Sequence, residues 1–158
     1  MAAADWPDVA RIYREGIDSG HATFETEVPS WEGWDAAHLP FARLVALVAD
    51  EVIGWAALSR VSAREVYSGV AEVSVYVSDK SRGQGIGRVL LEALIKESES
   101  NGIWTLQASI FPENAASIRM HQRCGFREVG GRERIAKLRG VWRDTVLLEH
   151  RSRALGLS

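Results

Sequence analysis

Apolar positions along this chain change period several times, and each change marks an element. Val9, Ile12, Tyr13 and Ile17 recur at helical spacing behind Asp5, Pro7 and Asp8. A cap residue, a first-turn proline and an acidic third position predict an opening helix. Periodicity then lapses over SGHATFETEVPSWEGW, residues 19 to 34, where aromatic and polar side chains mix without a repeat. This stretch reads as a contact loop leading into a short helix capped by Ser30. Two β-branched, apolar runs, RLVALVA and VIGWAALSR, flank Asp50-Glu51 and predict an antiparallel hairpin closed by a tight turn. In VAEVSVYV the alternation is strict, with Ala71, Val73, Val75 and Val77 on one face and Glu72, Ser74 and Tyr76 on the other.

After this strand, RGQGIGRVLLEAL opens a long helix. Ile86, Val89, Leu90, Ala93 and Leu94 stand at i, i+3, i+4, i+7 and i+8 and define its buried stripe, with Arg88, Glu92 and Lys96 on the polar face. The helix ends near Asn101-Gly102, and IWTLQASIF is another strand. Asn114 caps a short helix that stops at Gly125. Two arginine-bearing strands, roughly 126 to 138 and 141 to 150, meet at the Gly140 turn, and RSRALGLS reads as a frayed tail. The alternation of strands and helices predicts one α/β (α+β) domain over residues 1 to 150, with a central, mostly antiparallel sheet between helices, and a tail over 151 to 158.

Composition narrows the possibilities. A chain of 158 residues with 46% apolar residues suits one substantial core and is short for two. A formal net charge of −2 draws the protein neither to nucleic acid nor to an anionic membrane. The basic C-terminal third, with Arg132, Arg134, Lys137, Arg139 and Arg143, lacks interleaved aromatics and reads as a solvated hairpin or a dimer contact. Cys124 is the only cysteine, which excludes an intrachain disulfide framework, and its place beside Gly125 reads as packing. His21, His38, His121 and His150 show no paired ligand spacing, so no metal is expected. No apolar run reaches the ~18 residues of a membrane span, and MAAADWPD lacks the features of a signal peptide, so a cytoplasmic location is expected.

The candidate chemistry starts at Gly83, Gly85 and Gly87, placed between a strand and a helix. Glycines let the backbone approach an anion, and free amides at a helix N-terminus point toward it with the positive end of the dipole. Arg82 and Arg88 add charge. A triphosphate loop is excluded because no GKS or GKT follows the glycines, and the G-x-G-x-G spacing near mid-chain departs from the dinucleotide fingerprint. Simple loop closure stays open on the glycines alone.

Two motifs in order carry a resemblance. VSVYVSDKSRGQGIGRVLLEAL resembles the acetyl-coenzyme A signature of the GNAT superfamily of N-acetyltransferases, and NAASIRMHQRCGF, about 30 residues on, is similar to that superfamily's N-x-x-(S/A)-x-x-x-(Y/H)-x-x-x-G-F helix. TFETEVPSW, REVYSGVAEVSVYV and GVWRDTVLLEH further resemble its phosphinothricin acetyltransferase branch. The resemblance implies a GNAT fold and transfer of acetyl from acetyl-CoA to the α-amino group of a small amino acid or analogue, such as phosphinothricin or methionine sulfoximine, by direct attack. It implies a coenzyme seat at Arg82, Gly83, Gln84, Gly85, Ile86, Gly87 and Arg88, with contacts from Asn114, Ser117 and the backbone of Val75, Tyr76 and Val77. Glu72 takes the place of the general base, and His121 stands where many relatives carry a tyrosine that protonates the leaving thiolate. Phe24, Glu25, Thr26, Arg64 and Tyr67 fall where the acceptor binds, and relatives pair as homodimers. Three departures stand out: little room for the family's first strand, Ser68 in place of an arginine, and Val70 in place of a threonine. The alternatives are acetylation of protein N-termini or another amine, and a coenzyme A-binding sensor without turnover. Against each role stands a plain one: a solvated strand carboxylate at Glu72, a helix cap at Asn114, a packing residue at His121.

Overall fold

The computed structural model describes residues 1–158. Strand β3, Val70–Val77, pairs along nearly its whole length with β2, Glu51–Arg60, from Arg60↔Ala71 to Gly54↔Val77. With its other neighbour, β4, Thr105–Ile110, it shares only the rungs Val70↔Thr105, Ala71↔Leu106 and Glu72↔Gln107. Beyond Glu72, β4 follows β6, Val141–Arg151, out to Ile110↔Val146, while β3 stays with β2. The sheet therefore opens into a fork between β3 and β4. These two are its parallel pair, and the remaining pairs, including β1, Leu44–Val48, with β2 and β5, Arg127–Leu138, with β6, are antiparallel in the order β1-β2-β3-β4-β6-β5. The expected mixed, mostly antiparallel sheet is present.

Helices cover both faces. Helix α1, Trp6–Ser19, buries Val9, Ile12, Tyr13 and Ile17 with Trp34, Trp55 and Ala57. It starts at Asp5 with proline in its first turn and ends on the left-handed Gly20. A short 3₁₀ turn, Ala3–Asp5, lies ahead of it, with no strand before that. Helix α2, Trp31–Ala37, is capped as expected: the Ser30 side chain accepts from the Gly33 amide at 3.1 Å.

Helix α3, Ile86–Ser100, corrects the expected stripe. Leu90, Leu91, Leu94 and Ser98 are buried against Ala56, Leu58, Ala71, Leu106 and Leu148, whereas Val89 is 63% exposed and Ala93 also faces solvent. The adjacent leucines at 90 and 91 made the stripe ambiguous in sequence. Rotating the helix to bury Leu91 and Ile95 in place of Val89 and Ala93 removes more apolar surface from water.

The first hairpin turns at Ala49-Asp50, both left-handed at φ 49° and 65°, and not at Asp50-Glu51; Glu51 already pairs with Val48 in the ladder. Paired left-handed residues match the right-handed twist of the flanking strands. The terminal residues also differ from expectation. Ser152 is 3% exposed, its amide donates to the Trp104 carbonyl at 2.8 Å, and the Arg151 guanidinium donates to the carbonyls of Leu155 and Gly156. The tail is tied down because a single guanidinium satisfies several backbone carbonyls that a frayed end would leave to water.

Candidate active site

Two adjoining cavities meet at the fork. The smaller, about 300 Å³, is walled by Glu72, Val73, Ser74, Val75 and Tyr76 of β3, by Ala108 to Phe111 at the end of β4, and by Asn114, Ser117 and His121. The loop residues His21 to Glu25 and Thr145 of β6 complete it. The larger, about 720 Å³, runs from Val75, Tyr76 and Val77 along the glycine loop and helix α4, Ala115–Arg123. Tyr76, Val75, Asn114, Ser117, His21 and Ala22 line both, so the two form one continuous path.

The larger cavity borders the glycine loop and the start of α3. Gly83 and Gly85 hold φ of 76° and 80°, and a β-carbon at either would meet no protein atom within 4 Å. The space beside them is open to a ligand. Gly85 is the N-cap of α3 and has no side-chain cap bond, so the first-turn amides stay available to an incoming phosphate. The flanking arginines are engaged elsewhere: Arg82 pairs with Asp79 at 2.9 Å and Arg88 with Glu92 at 2.8 Å. The unpaired cations of the groove are Arg119 and Arg123, one turn apart on α4. Neither belongs to a glycine motif; their only sequence signal is the i, i+4 spacing on the helix that Asn114 caps.

Helix α4 aims three polar side chains at the fork. Asn114 Oδ1 accepts from the Ser117 amide at 3.3 Å as the N-cap, while Nδ2 donates to the His21 carbonyl at 3.3 Å. One residue thus caps the helix and holds the loop that follows α1. His121 is 4% exposed, and its Nδ1 lies 2.7 Å from the Ser117 carbonyl oxygen. A carbonyl can only accept, so Nδ1 carries the proton and Nε2 keeps the lone pair. Burial lowers the pKa of His121 below the ordinary histidine range, opposed by the bond to Ser117. Its other contact, Ser117 Oγ at 3.4 Å, finds Nδ1 already committed as a donor.

Glu72 stands at the crotch of the fork, and its Oε2 accepts from Gln107 Nε2 at 2.9 Å. Phe24 packs edge-on to Phe111 with centroids 4.9 Å apart, and the Arg143 guanidinium carbon lies 4.0 Å from the centroid of the Phe111 ring. Arg143 also donates to the Gly20 carbonyl at 2.9 Å, which ties the loop after α1 to β6. Tyr13 and Tyr76 pack with centroids 5.0 Å apart. Burial, then the Glu25 carboxylate, pushes the Tyr13 hydroxyl up to about 12, and burial followed by Tyr13 raises Tyr76 further. Both stay protonated.

The fold brings together Glu72, His121, Phe24, Glu25, Val75, Tyr76, Asn114 and Ser117 around the smaller cavity, and Val77, Arg82, Gly83, Gly85, Ile86, Gly87 and Arg88 along the groove. Gln84 is an exposed loop residue outside the lining. Thr26, Arg64 and Tyr67 do not reach the cavity of this chain. Arg64 and Tyr67 are exposed, and the Arg64 guanidinium lies 5.7 Å over the Tyr67 ring. Cys124 lies outside both cavities, and burial raises its thiol pKa, so the thiolate is disfavoured.

A forked sheet with a glycine loop and an uncapped helix start at one arm defines a class. Residues 6–126 match the model of the acetyltransferase (GNAT) family, and the chain belongs to that family. It is 34% identical over 152 residues to the L-methionine sulfoximine/L-methionine sulfone acetyltransferase of Pseudomonas paraeruginosa, covering 92% of this chain and 88% of the relative. It is 33% identical over 153 residues to the phosphinothricin N-acetyltransferase of Alcaligenes faecalis, covering 92% of this chain and 77% of the relative. Among solved structures, a GNAT superfamily phosphinothricin acetyltransferase from Sinorhizobium meliloti in complex with AcCoA superposes with a TM-score of 0.90 at 29% identity, covering 100% of this chain and 89% of that one. The protein is accordingly an acetyltransferase related to the phosphinothricin and methionine sulfoximine enzymes, with acetyl-CoA as donor. Its groove fits that donor: open space beside Gly83 and Gly85, bare helix amides and two unpaired arginines suit the phosphates.

Proposed function

We propose that this enzyme acetylates the α-amino group of a small amino acid or analogue, of the phosphinothricin or methionine sulfoximine type, by direct attack in a ternary complex. The observation that carries this reading is the continuity of the anion-binding groove with a 300 Å³ cavity bearing Glu72 and His121. Such a volume suits an amino acid.

An α-amino group is largely protonated near neutral pH and must lose that proton to attack a thioester. Glu72 is placed to take it. The backbone of Val75 to Val77, released from β4 by the fork, offers strand edges to the amides of the coenzyme arm and a donor to the thioester oxygen. His121 presents a neutral Nε2 lone pair, so it takes the second proton, which the amine nitrogen sheds after attack, and passes it to the departing thiolate. A covalent acetyl-enzyme is disfavoured by the same geometry: Ser117 has no free base in His121, and Cys124 lines neither cavity. Two carboxylates, Glu25 and Glu72, and no lysine or arginine line the cavity, which suits the ammonium of the acceptor and leaves its carboxylate at the mouth. Pairing of two copies belongs to this reading, supported by Val129, Ile135, Val141 and Trp142, exposed along the β5–β6 hairpin. A cytoplasmic setting accords with the absence of any helix long and apolar enough to cross a membrane.

Thiol release from acetyl-CoA with a panel of amino acids, methionine sulfoximine, phosphinothricin and a peptide with a free N-terminus tests the acceptor. The free amino acids or analogues turn over fastest, and initial-rate plots intersect. Preference for the peptide overturns the acceptor, and parallel lines overturn direct attack.

A further inference from the structure

We infer that Gln107 is a positioning residue for Glu72: its side-chain amide holds the carboxylate at the crotch of the fork, keeping one oxygen fixed and the other free toward the acceptor. The inference rests on the reading of Glu72 as the base. Gln107 lies opposite Glu72 on the last rung of the parallel ladder, immediately before the strands part. Its Nε2 is 2.9 Å from Glu72 Oε2, the one side-chain hydrogen bond Glu72 makes. Glu72 lines the cavity and Gln107 does not, so Gln107 reaches the chemistry only through Glu72.

The residue type suits a base that changes charge during turnover. An ionised carboxylate only accepts, so the amide nitrogen faces it; a protonated carboxyl donates, and a flipped amide answers with its oxygen. An arginine or lysine in this place would hold the carboxylate ionised and weaken it as a base. Ser59, Glu72, Gln107 and Glu149 occupy successive register positions across β2, β3, β4 and β6, and Glu149 is bonded to Arg127 of β5. That pairing occupies the carboxylate on the far side of Gln107. The other titratable groups around Glu72 are Glu25 and His21 of the loop, Tyr76 on its own strand and His121 of α4. None makes a hydrogen bond to it.

The test measures kcat, the KM for acetyl-CoA and for the acceptor, and thermal unfolding in Glu72→Gln, Gln107→Met, Gln107→Glu and the double swap. Gln107→Met removes the one side-chain donor to Glu72 and lowers kcat about 10-fold with both KM values nearly unchanged. Gln107→Glu sets a second carboxylate against Glu72 in place of the donor and lowers kcat at least as far. The swap Glu72→Gln/Gln107→Glu keeps the amide–carboxylate bond and the melting temperature but moves the carboxylate off the cavity wall, so turnover is as low as in Glu72→Gln alone. If Gln107→Met melts earlier yet keeps the wild-type kcat, the contact is structural and the inference is wrong; recovery of turnover in the swap overturns it too. Full activity of Glu72→Gln overturns the base reading and the inference together, whereas an inactive Glu72→Gln beside a Gln107→Met of unchanged kcat overturns the inference alone.

Discussion

Gly85 and Gly102 form a matched pair that separates backbone strain from ligand binding. Both hold φ of 80°, and a β-carbon at either would meet no protein atom within 4 Å. Gly85 opens α3 beside the groove, and Gly102 follows its far end. An L-residue in this left-handed conformation costs about 1–2 kcal/mol. Alanine recovers about 0.4–1 kcal/mol by restricting the unfolded chain. The net loss, at most about 1.6 kcal/mol, lowers the melting temperature of a chain of this size by up to about 6 °C. Both Gly85→Ala and Gly102→Ala show this drop. Only Gly85→Ala also sets a methyl in the open space where the phosphate approaches the α3 amides. Losing one charge-assisted bond there costs about 1.5–3 kcal/mol, equivalent to a KM for acetyl-CoA raised roughly 10- to 100-fold. Steady-state thiol release at saturating acceptor measures this, with kcat nearly unchanged. An unchanged KM in Gly85→Ala, at a melting shift equal to that of Gly102→Ala, would refute the glycine loop as the phosphate seat.

Glu72→Gln keeps acetyl-CoA affinity by calorimetry and loses about 10²- to 10⁴-fold in kcat, the ordinary worth of a positioned base. Arg119→Ala/Arg123→Ala raises the KM for acetyl-CoA several-fold, more than Arg82→Ala/Arg88→Ala does, because the latter pair is already neutralised by Asp79 and Glu92. His121 and His38 both have pKa values lowered in the fold, chiefly by burial. The unfolded chain therefore binds protons at these positions first as pH falls through the ordinary histidine range, and stability drops until the lower folded values are passed. Urea midpoints from pH 8 to pH 5 record that decline, and it is shallower in His121→Asn.

Much of this architecture was legible before any coordinates. The opening helix, the Ser30 and Asn114 caps, the alternating strand and the glycine loop all follow from local rules: periodicity, capping chemistry and the phosphate geometry of a strand–loop–helix turn. The structure departs from these rules where equivalent local choices compete. Leu90 and Leu91 are equally good core residues until a sheet lies beneath α3, and Arg82 and Arg88 look like free charges until Asp79 and Glu92 are seen to hold them. The terminal RSRALGLS has no periodicity, so the guanidinium that pins it to Trp104, Leu155 and Gly156 left no mark in the pattern.

The sequence by itself determined most of the elements, the glycine loop before α3 and the identity of the polar side chains on α4, because each is decided by residues within one or two turns of one another. Only the tertiary structure decided where the sheet divides. That division places Gln107 against Glu72, 35 positions away, and Asn114 against His21, 93 positions away. It also left Arg64 and Tyr67 outside the cavity while bringing Arg119 and Arg123 to the groove. Contacts between distant strands are set by the shared burial of the whole sheet, a quantity no short stretch of this chain encodes.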